Sequence, residues 1–232
     1  HLLMSDLHQA PKILKQDLFG RVELIYFSDS SAIPQLAIRR DFNSARWWAR
    51  PLATYLARRE IKALTRLEEC DASESRFPRI ISHNRQQIVR SYISGVPLHI
   101  YGKPQPQFFE QLKELLKQMH AAKVTHNDLA KEPNIIVTDD GRPALIDMQL
   151  ASCATLLSPL FNTQCREDFR HILKHQRTYY PGTLTDDDLI LLAKRSIPAK
   201  IWMTCVKPVY LLITRRIFNW SDREGAGDRG AN

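Results

Sequence analysis

The stretch Val124–Ala151, VTHNDLAKEPNIIVTDDGRPALIDMQLA, decides the reading of this 232-residue chain. It places His126, Asp128 and Leu129 just after Val124-Thr125. Asn134 follows, and then two apolar runs, Asn134–Val137 (NIIV) and Ala144–Ile146 (ALI). Asp139-Asp140-Gly141 lies between the runs, which predicts a small hairpin with a tight turn. Asp147 comes directly after the second run, thirteen residues beyond Asn134. A hairpin of that length folds Asn134 and Asp147 back to one place, beside the loop that carries Asp128. A carboxylate on a rigid loop can orient an acceptor hydroxyl and relieve it of its proton. A carboxamide and a second carboxylate are the oxygen ligands that Mg²⁺ prefers, and Mg²⁺ in turn neutralises phosphate charge. Asp128, Asn134 and Asp147 are therefore candidates for phosphoryl transfer.

On these residues the chain resembles the protein-kinase-like fold. The catalytic loop of that family reads H-x-D-L-x-x-x-N and leads into a short hairpin and a metal-binding Asp. The small bacterial branch is most similar: lipopolysaccharide-core sugar kinases and RIO-type kinases, with short C-lobes and no long activation segment. The resemblance implies ATP and Mg²⁺ as cofactors, Asp128 as the catalytic carboxylate and Asn134 with Asp147 as metal ligands. Lys131 takes the part of the loop cation that contacts the transferring phosphate. Two departures stand out. The step from Asp128 to Asn134 is one residue longer than usual, with Pro133 before the Asn, and the family's D-F-G reads Asp147-Met148-Gln149. A turn that does without Gly points to a fixed segment rather than a flipping switch.

Outward from this segment, the N-terminal part alternates strand and helix patterns. Arg21–Phe27 (RVELIYF) and Gln35–Arg39 (QLAIR) are strand-like, with a turn at Ser28–Pro34 between them. In Ala45–Glu69 the residues Ala53, Leu56, Ile61, Leu64 and Leu67 fall near helical spacing among Arg and Lys, which predicts an amphipathic helix. Phe77–Tyr92 returns to strand character. The resemblance puts Arg39, in Leu36-Ala37-Ile38-Arg39, in the slot of the family's phosphate-binding Lys, with Arg40 as the competing residue. Glu60 is the natural partner for that cation. Val89–Gly95 resembles the hinge that meets adenine, with Ser91 to Ile93 as the contacts. No G-x-G-x-x-G is present, and only Gly20, in Asp17-Leu18-Phe19-Gly20, offers a reduced phosphate-covering turn.

Beyond Pro106 the pattern is mostly helical, with Phe108, Phe109, Leu112, Leu115, Leu116 and Met119 recurring at three and four. Thr185 before three Asp residues is a strong helix start. Asp168 reads equally as a residue steadying the catalytic loop or as a solvated helix start. His126 reads as a brace for that loop. Trp47-Trp48, beside Arg46 and Arg50, is a packing wedge or a ligand platform. The expected fold class is α+β and two-lobed: an N-lobe over 1–95, a C-lobe over 96–224 and a polar tail over 225–232.

Charge and composition bound the function. Lys and Arg number 33 against 25 Asp and Glu, a net charge of +8, which suits phosphates or an anionic surface. An apolar fraction of 44% and a charged fraction of 25% exclude a disordered or fibrous chain. The four cysteines form no CxxC pair, against a zinc ribbon and for a reducing compartment. No signal peptide or membrane span is visible. Lys194–Arg216 carries six basic residues and no acidic ones among apolar neighbours. It reads as a C-lobe helix pair or as an interfacial helix on anionic lipid. The expected partners are ATP and a hydroxyl acceptor, which is a glycan, a lipid-linked sugar or a protein Ser/Thr. Nucleic acid is not expected, and the location is cytoplasmic with optional peripheral contact at the inner membrane. The rival readings are a nucleotide-binding scaffold of weak activity and a basic binding module.

Overall fold

The computed structural model describes residues 11–27, 34–70, 76–156 and 158–194. The turn expected at Ser28–Pro34 lies mostly outside them, as do Lys194–Arg216 after its first residue and the tail at 225–232. His1–Leu191 forms one compact unit; the second unit, Leu192–Asn232, falls almost wholly outside the described residues.

The fold is α+β. Five antiparallel strands open the chain in the order β1-β2-β3-β5-β4. They are β1 (Lys12–Asp17), β2 (Gly20–Phe27), β3 (Gln35–Asp41), β4 (Ile80–His83) and β5 (Gln87–Ser91). Between β3 and β4 runs α1 (Arg50–Glu69), which starts with Pro51 in its first turn. Its buried stripe is Ala53, Ala57, Glu60, Ala63, Leu64 and Leu67. The small residues bring α1 close to the sheet, where Phe42, Ala53, Ala57 and Ile88 form a local core. Leu56 and Ile61, expected in the stripe, lie at its margin and are only half-buried.

A short strand β6 (Gly95–Pro97) and a single helical turn α2 (Leu98–Tyr101) lead to α3 (Phe108–Ala121). All six apolar residues expected on α3's inner face are buried. Then come β7 (Val124–Thr125), the hairpin β8 (Ile135–Thr138) and β9 (Pro143–Leu145), β10 (Ser152–Cys153), α4 (Pro159–Tyr179) and α5 (Asp186–Ala193). Gly141 closes the hairpin turn at φ 77, and β6 adds a third strand beside β8. Gly95 is irreplaceable at that junction: it has φ 146, and a Cβ there would lie 2.4 Å from the Val137 carbonyl oxygen. At α5, Thr185 Oγ1 accepts from the Asp188 amide at 3.2 Å and Asp188 Oδ2 accepts from the Thr185 amide at 3.1 Å, a reciprocal cap. The main core joins α3 to the hairpin and α4, and Ala63, Leu64 and Leu67 tie α1 into it.

Candidate active site

The loop that carries Asp128 is held from below by Asp168 of α4. This carboxylate is 1% exposed. It accepts from the backbone amides of His126 at 2.8 Å and Asn127 at 2.9 Å, and lies 3.2 Å from His120 Nε2. Of its two readings, the brace is the one seen. Asn127 has φ 64, a left-handed conformation that Asn tolerates better than most residues. Its side-chain amide donates to the Leu150 carbonyl and to Ser152 Oγ, both at 2.9 Å. His126 is fully buried. Its Nε2 sits 2.9 Å from the Ile146 carbonyl oxygen and its Nδ1 accepts from the Asp128 amide at 3.3 Å. The ring thus ties the loop to the end of the hairpin, as expected of a brace. His175 of α4 adds a further tie, 2.8 Å from the Leu129 carbonyl oxygen.

Asp128 and Asn134 are in direct contact. The Asn134 amide group donates to the Asp128 carbonyl at 3.0 Å and to Asp128 Oδ2 at 3.1 Å. That orientation leaves the Asn134 carboxamide oxygen facing away from Asp128. Pro133 and the extra loop residue are absorbed in a 3-10 turn over Glu132–Asn134. Lys131 places Nζ 3.0 Å from Asp128 Oδ2 on a largely solvent-facing side chain. The hairpin register pairs Ile135 with Leu145, and the ladder extends one step through the Ile146 amide to the Asn134 carbonyl at 3.0 Å. Asp147 therefore follows immediately beside Asn134. It adopts a left-handed conformation, φ 65 and ψ 63, at the start of a 3-10 turn over Met148–Leu150. Met148, in the place of the family's Phe, is fully buried there and pins the segment, while Gln149 stands where the family has Gly.

The expected pairing of Arg39 with Glu60 is corrected by the sheet register. Arg39 lies directly opposite Glu23 on β2, and their side chains pair at 2.8 Å (Nε) and 2.5 Å (Nη2). Alternation turns the next residue, Arg40, to the α1 face. Arg40 is 6% exposed and reaches Glu60 Oε2 at 3.7 Å, while Arg90 of β5 holds Glu60 Oε1 at 2.5 Å. Glu60 is 1% exposed, and burial pushes its carboxyl pKa up, against the pull of Arg90 and Arg40. Burial likewise lowers the Arg40 pKa, opposed by Glu60 and Asp147. Nothing in the sequence marks Arg90, because a lone Arg in a strand carries no motif; a Glu beside the apolar stripe of a helix is the one signal that cations must meet it. Ser91 is committed to the sheet: its amide donates to the Arg79 carbonyl at 2.8 Å and its hydroxyl accepts from the Arg79 amide at 2.9 Å. Ile93 lies half-buried just beyond.

Three buried atoms in this region have no hydrogen-bond partner: Arg40 Nη1, Glu60 Oε2 and Asp147 Oδ1. Native interiors rarely leave such groups unmatched without a ligand, ion or water to meet them. Arg40 Nη1 and Glu60 Oε2 face each other at 3.7 Å as an ion pair outside hydrogen-bond reach, so the atom left open is Asp147 Oδ1, and a carboxylate oxygen at the end of the hairpin that returns to Asn134 fits a metal-bound phosphate. Among the described residues no three His, Cys, Asp or Glu side chains gather into a metal cage. Mg²⁺ in phosphoryl transfer does not ask for one, since it takes one or two protein ligands together with phosphates and water.

A strand-rich N-terminal sheet followed by a mostly helical part, with a braced H-x-D loop, a following hairpin and a carboxylate at its end, defines the protein-kinase-like class. Within that class, the model of the RIO domain matches residues 27–184, about two-thirds of the chain, and the chain belongs to the RIO domain family. Among curated proteins no match was found. Membership makes the chain an atypical protein-kinase-like, ATP-binding phosphotransferase at the level of class. It also brings ATP, Mg²⁺ and an acceptor substrate as the family's usual partners.

Proposed function

We propose that this chain moves the γ-phosphoryl group of ATP, with Mg²⁺, onto the hydroxyl of a sugar, a lipid-linked sugar or a protein Ser/Thr. In this reading residues 1–95 cover the nucleotide and residues 96–224 supply the catalytic loop and metal ligands. The observation that carries it is the unmatched buried Asp147 Oδ1 at the end of the hairpin that returns to the contacting pair Asp128 and Asn134, with Arg40 and Glu60 paired at 3.7 Å on the facing sheet and helix.

Asp147 Oδ1 and the Asn134 carboxamide oxygen would hold the metal, which supplies neutralisation of phosphate charge. Arg40 presents its guanidinium to the phosphates, and a fork of that kind can grip two oxygens at once. Asp128 orients the acceptor hydroxyl and takes its proton. Its own place is fixed by the Asn134 amide and the His126 ring. Lys131, paired with Asp128, offers a second cation to the phosphoryl group in transit. Because His126, Asp168 and Asn127 hold the loop before substrate arrives, little reorganisation remains for the reacting state. A cytoplasmic location belongs to the same proposal, supported by the free thiols of Cys70, Cys153 and Cys165. No helix among the described residues is long and apolar enough to cross a membrane.

Mg²⁺-dependent ATP turnover by the full chain, with a panel of glycans and Ser/Thr peptides as acceptors, tests this reading. Asp128→Asn and Asp147→Asn should each lower the rate by about 10²–10⁴-fold. Equal rates in wild type and both variants, with ATP still raising the melting temperature, would leave a nucleotide-binding scaffold instead.

A further inference from the structure

On one face of α1 the residues Leu52, Tyr55, Arg59, Lys62 and Arg66 follow one another at steps of three and four, so they form a single stripe along the helix, and Trp48 lies in the turn just before its first residue. Its first half is aromatic and apolar: Leu52 is 49% and Tyr55 55% exposed, and the adjoining Trp47 is 80% exposed. That exposure rules out the packing-wedge reading of Trp47. The second half is cationic. From Asn43 to Arg66 the only carboxylate is Glu60, which is buried in the opposite face.

The stripe borders a cleft of about 430 Å³, with Tyr55, Arg59 and Lys62 on one wall and Ser152, Cys153 and Gln164 on the other. No carboxylate lines it. Leu160, exposed and one turn before Gln164 on α4, and Leu150, exposed and two residues before Ser152, are apolar neighbours in the chain of the residues that line the cleft. Arg59 does not close the cleft, because it is bound downward: Nε donates to the Ala151 carbonyl at 3.0 Å and Nη2 to the Leu150 carbonyl at 2.9 Å. Lys62 is exposed and has no ion pair among the described residues.

We propose that this cleft is a docking site for a peptide segment of a protein partner that carries both apolar and acidic side chains. The apolar groups would lie along Leu52, Tyr55 and Leu160, and the carboxylates against Lys62 and the free edge of Arg59. Two walls with a recess between them favour a segment that inserts over a flat bilayer, which meets only the outermost side chains. Charge complementarity names the acidic class, since a basic segment would face Lys62, Arg59 and Arg66 without compensation. The chain's own Lys194–Arg216, with six basic residues and no acidic ones, is excluded as occupant on the same ground. The site does not depend on the phosphotransferase reading. It does touch the catalytic segment, because the Leu150 carbonyl and Ser152 Oγ receive Arg59 from this side and Asn127 from the other.

The test pans short random peptides displayed on phage against the full chain, then measures the enriched peptides by fluorescence anisotropy. Anionic vesicles of roughly one-third phosphatidylglycerol serve as a parallel probe. Peptides combining Leu, Ile or Phe with Asp or Glu should be enriched. Lys62→Glu and Leu52→Ser, both at solvent-facing positions, should each weaken them by about tenfold or more. Replacing the peptide carboxylates by Lys should restore binding to Lys62→Glu. Failure to enrich such peptides, or equal binding by wild type and both variants, would overturn the proposal. So would vesicle binding that both substitutions abolish while peptide binding survives, which would make the stripe a membrane face.

Discussion

Asp168 shows what a single buried charge does for this loop. Its two oxygens receive the His126 and Asn127 amides while His120 stands alongside. Asp168→Ala leaves two loop amides without their acceptor, and bonds of this charged kind are worth about 1.5–3 kcal/mol each. Chemical denaturation should register a loss of about 3 kcal/mol, with Asp168→Asn retaining part of it. His171, on the same helix, gives a pH signature. Burial, then the neighbouring Lys174, pulls its pKa down to about 4 from 6.5. A neutral His in the folded state contributes stability that is present above pH 6.5 and lost as pH falls toward 4, because the unfolded chain binds the proton first. His171→Gln should therefore lose less stability than wild type between about pH 7 and pH 4.5, by up to about 2 kcal/mol. Urea midpoints at the two pH values measure it.

Among the elements, the hairpin β8–β9 does the positioning. Its register brings Asn134 beside Asp147, and β6 supports it from the other edge. Gly95 is the weak point of that support. Gly95→Ala would drive a Cβ into the Val137 carbonyl and ask a non-Gly residue to keep φ 146. A cost of about 2–4 kcal/mol follows, visible as a lowered melting temperature. Ser94 Oγ donates to Asp139 of the hairpin turn, so the same change should also loosen the contact between the expected hinge and the hairpin. α1 is the second positioning element. It carries Glu60 inward and Arg59 sideways, and so joins the sheet cations to the segment that follows Asp147.

At the scale of the whole molecule, the core around α3 holds the hairpin, α1 and α4 together. Leu116 is fully buried within it, among residues from the hairpin, α1 and α4. Leu116→Ala removes three buried carbons and leaves a cavity, at a cost of about 2–5 kcal/mol. Denaturant midpoints read the loss, and ATP turnover at a temperature where the variant is still folded should remain close to wild type. A drop in turnover without a drop in stability would mean that the core does more than support.

Local pattern alone was enough for the elements whose information is local. The period of α3, the turn residues Asp139–Gly141 and the hydroxyl-and-acid start at Thr185 are short-range physics, and the spacing of Asp128, Asn134 and Asp147 implied a hairpin that joins them. What the chain could not disclose by itself was partner choice across the sheet. Arg39 and Arg40 are adjacent, and which one meets Glu60 depends on the register of β2 against β3, where Glu23 stands opposite Arg39. The same holds for Arg90 as the nearer cation of Glu60, for Asp168 as brace rather than surface charge, and for Trp47 in solvent rather than in the core. Burial and cross-strand pairing are properties of segments far apart in the chain, so only the tertiary structure decides them.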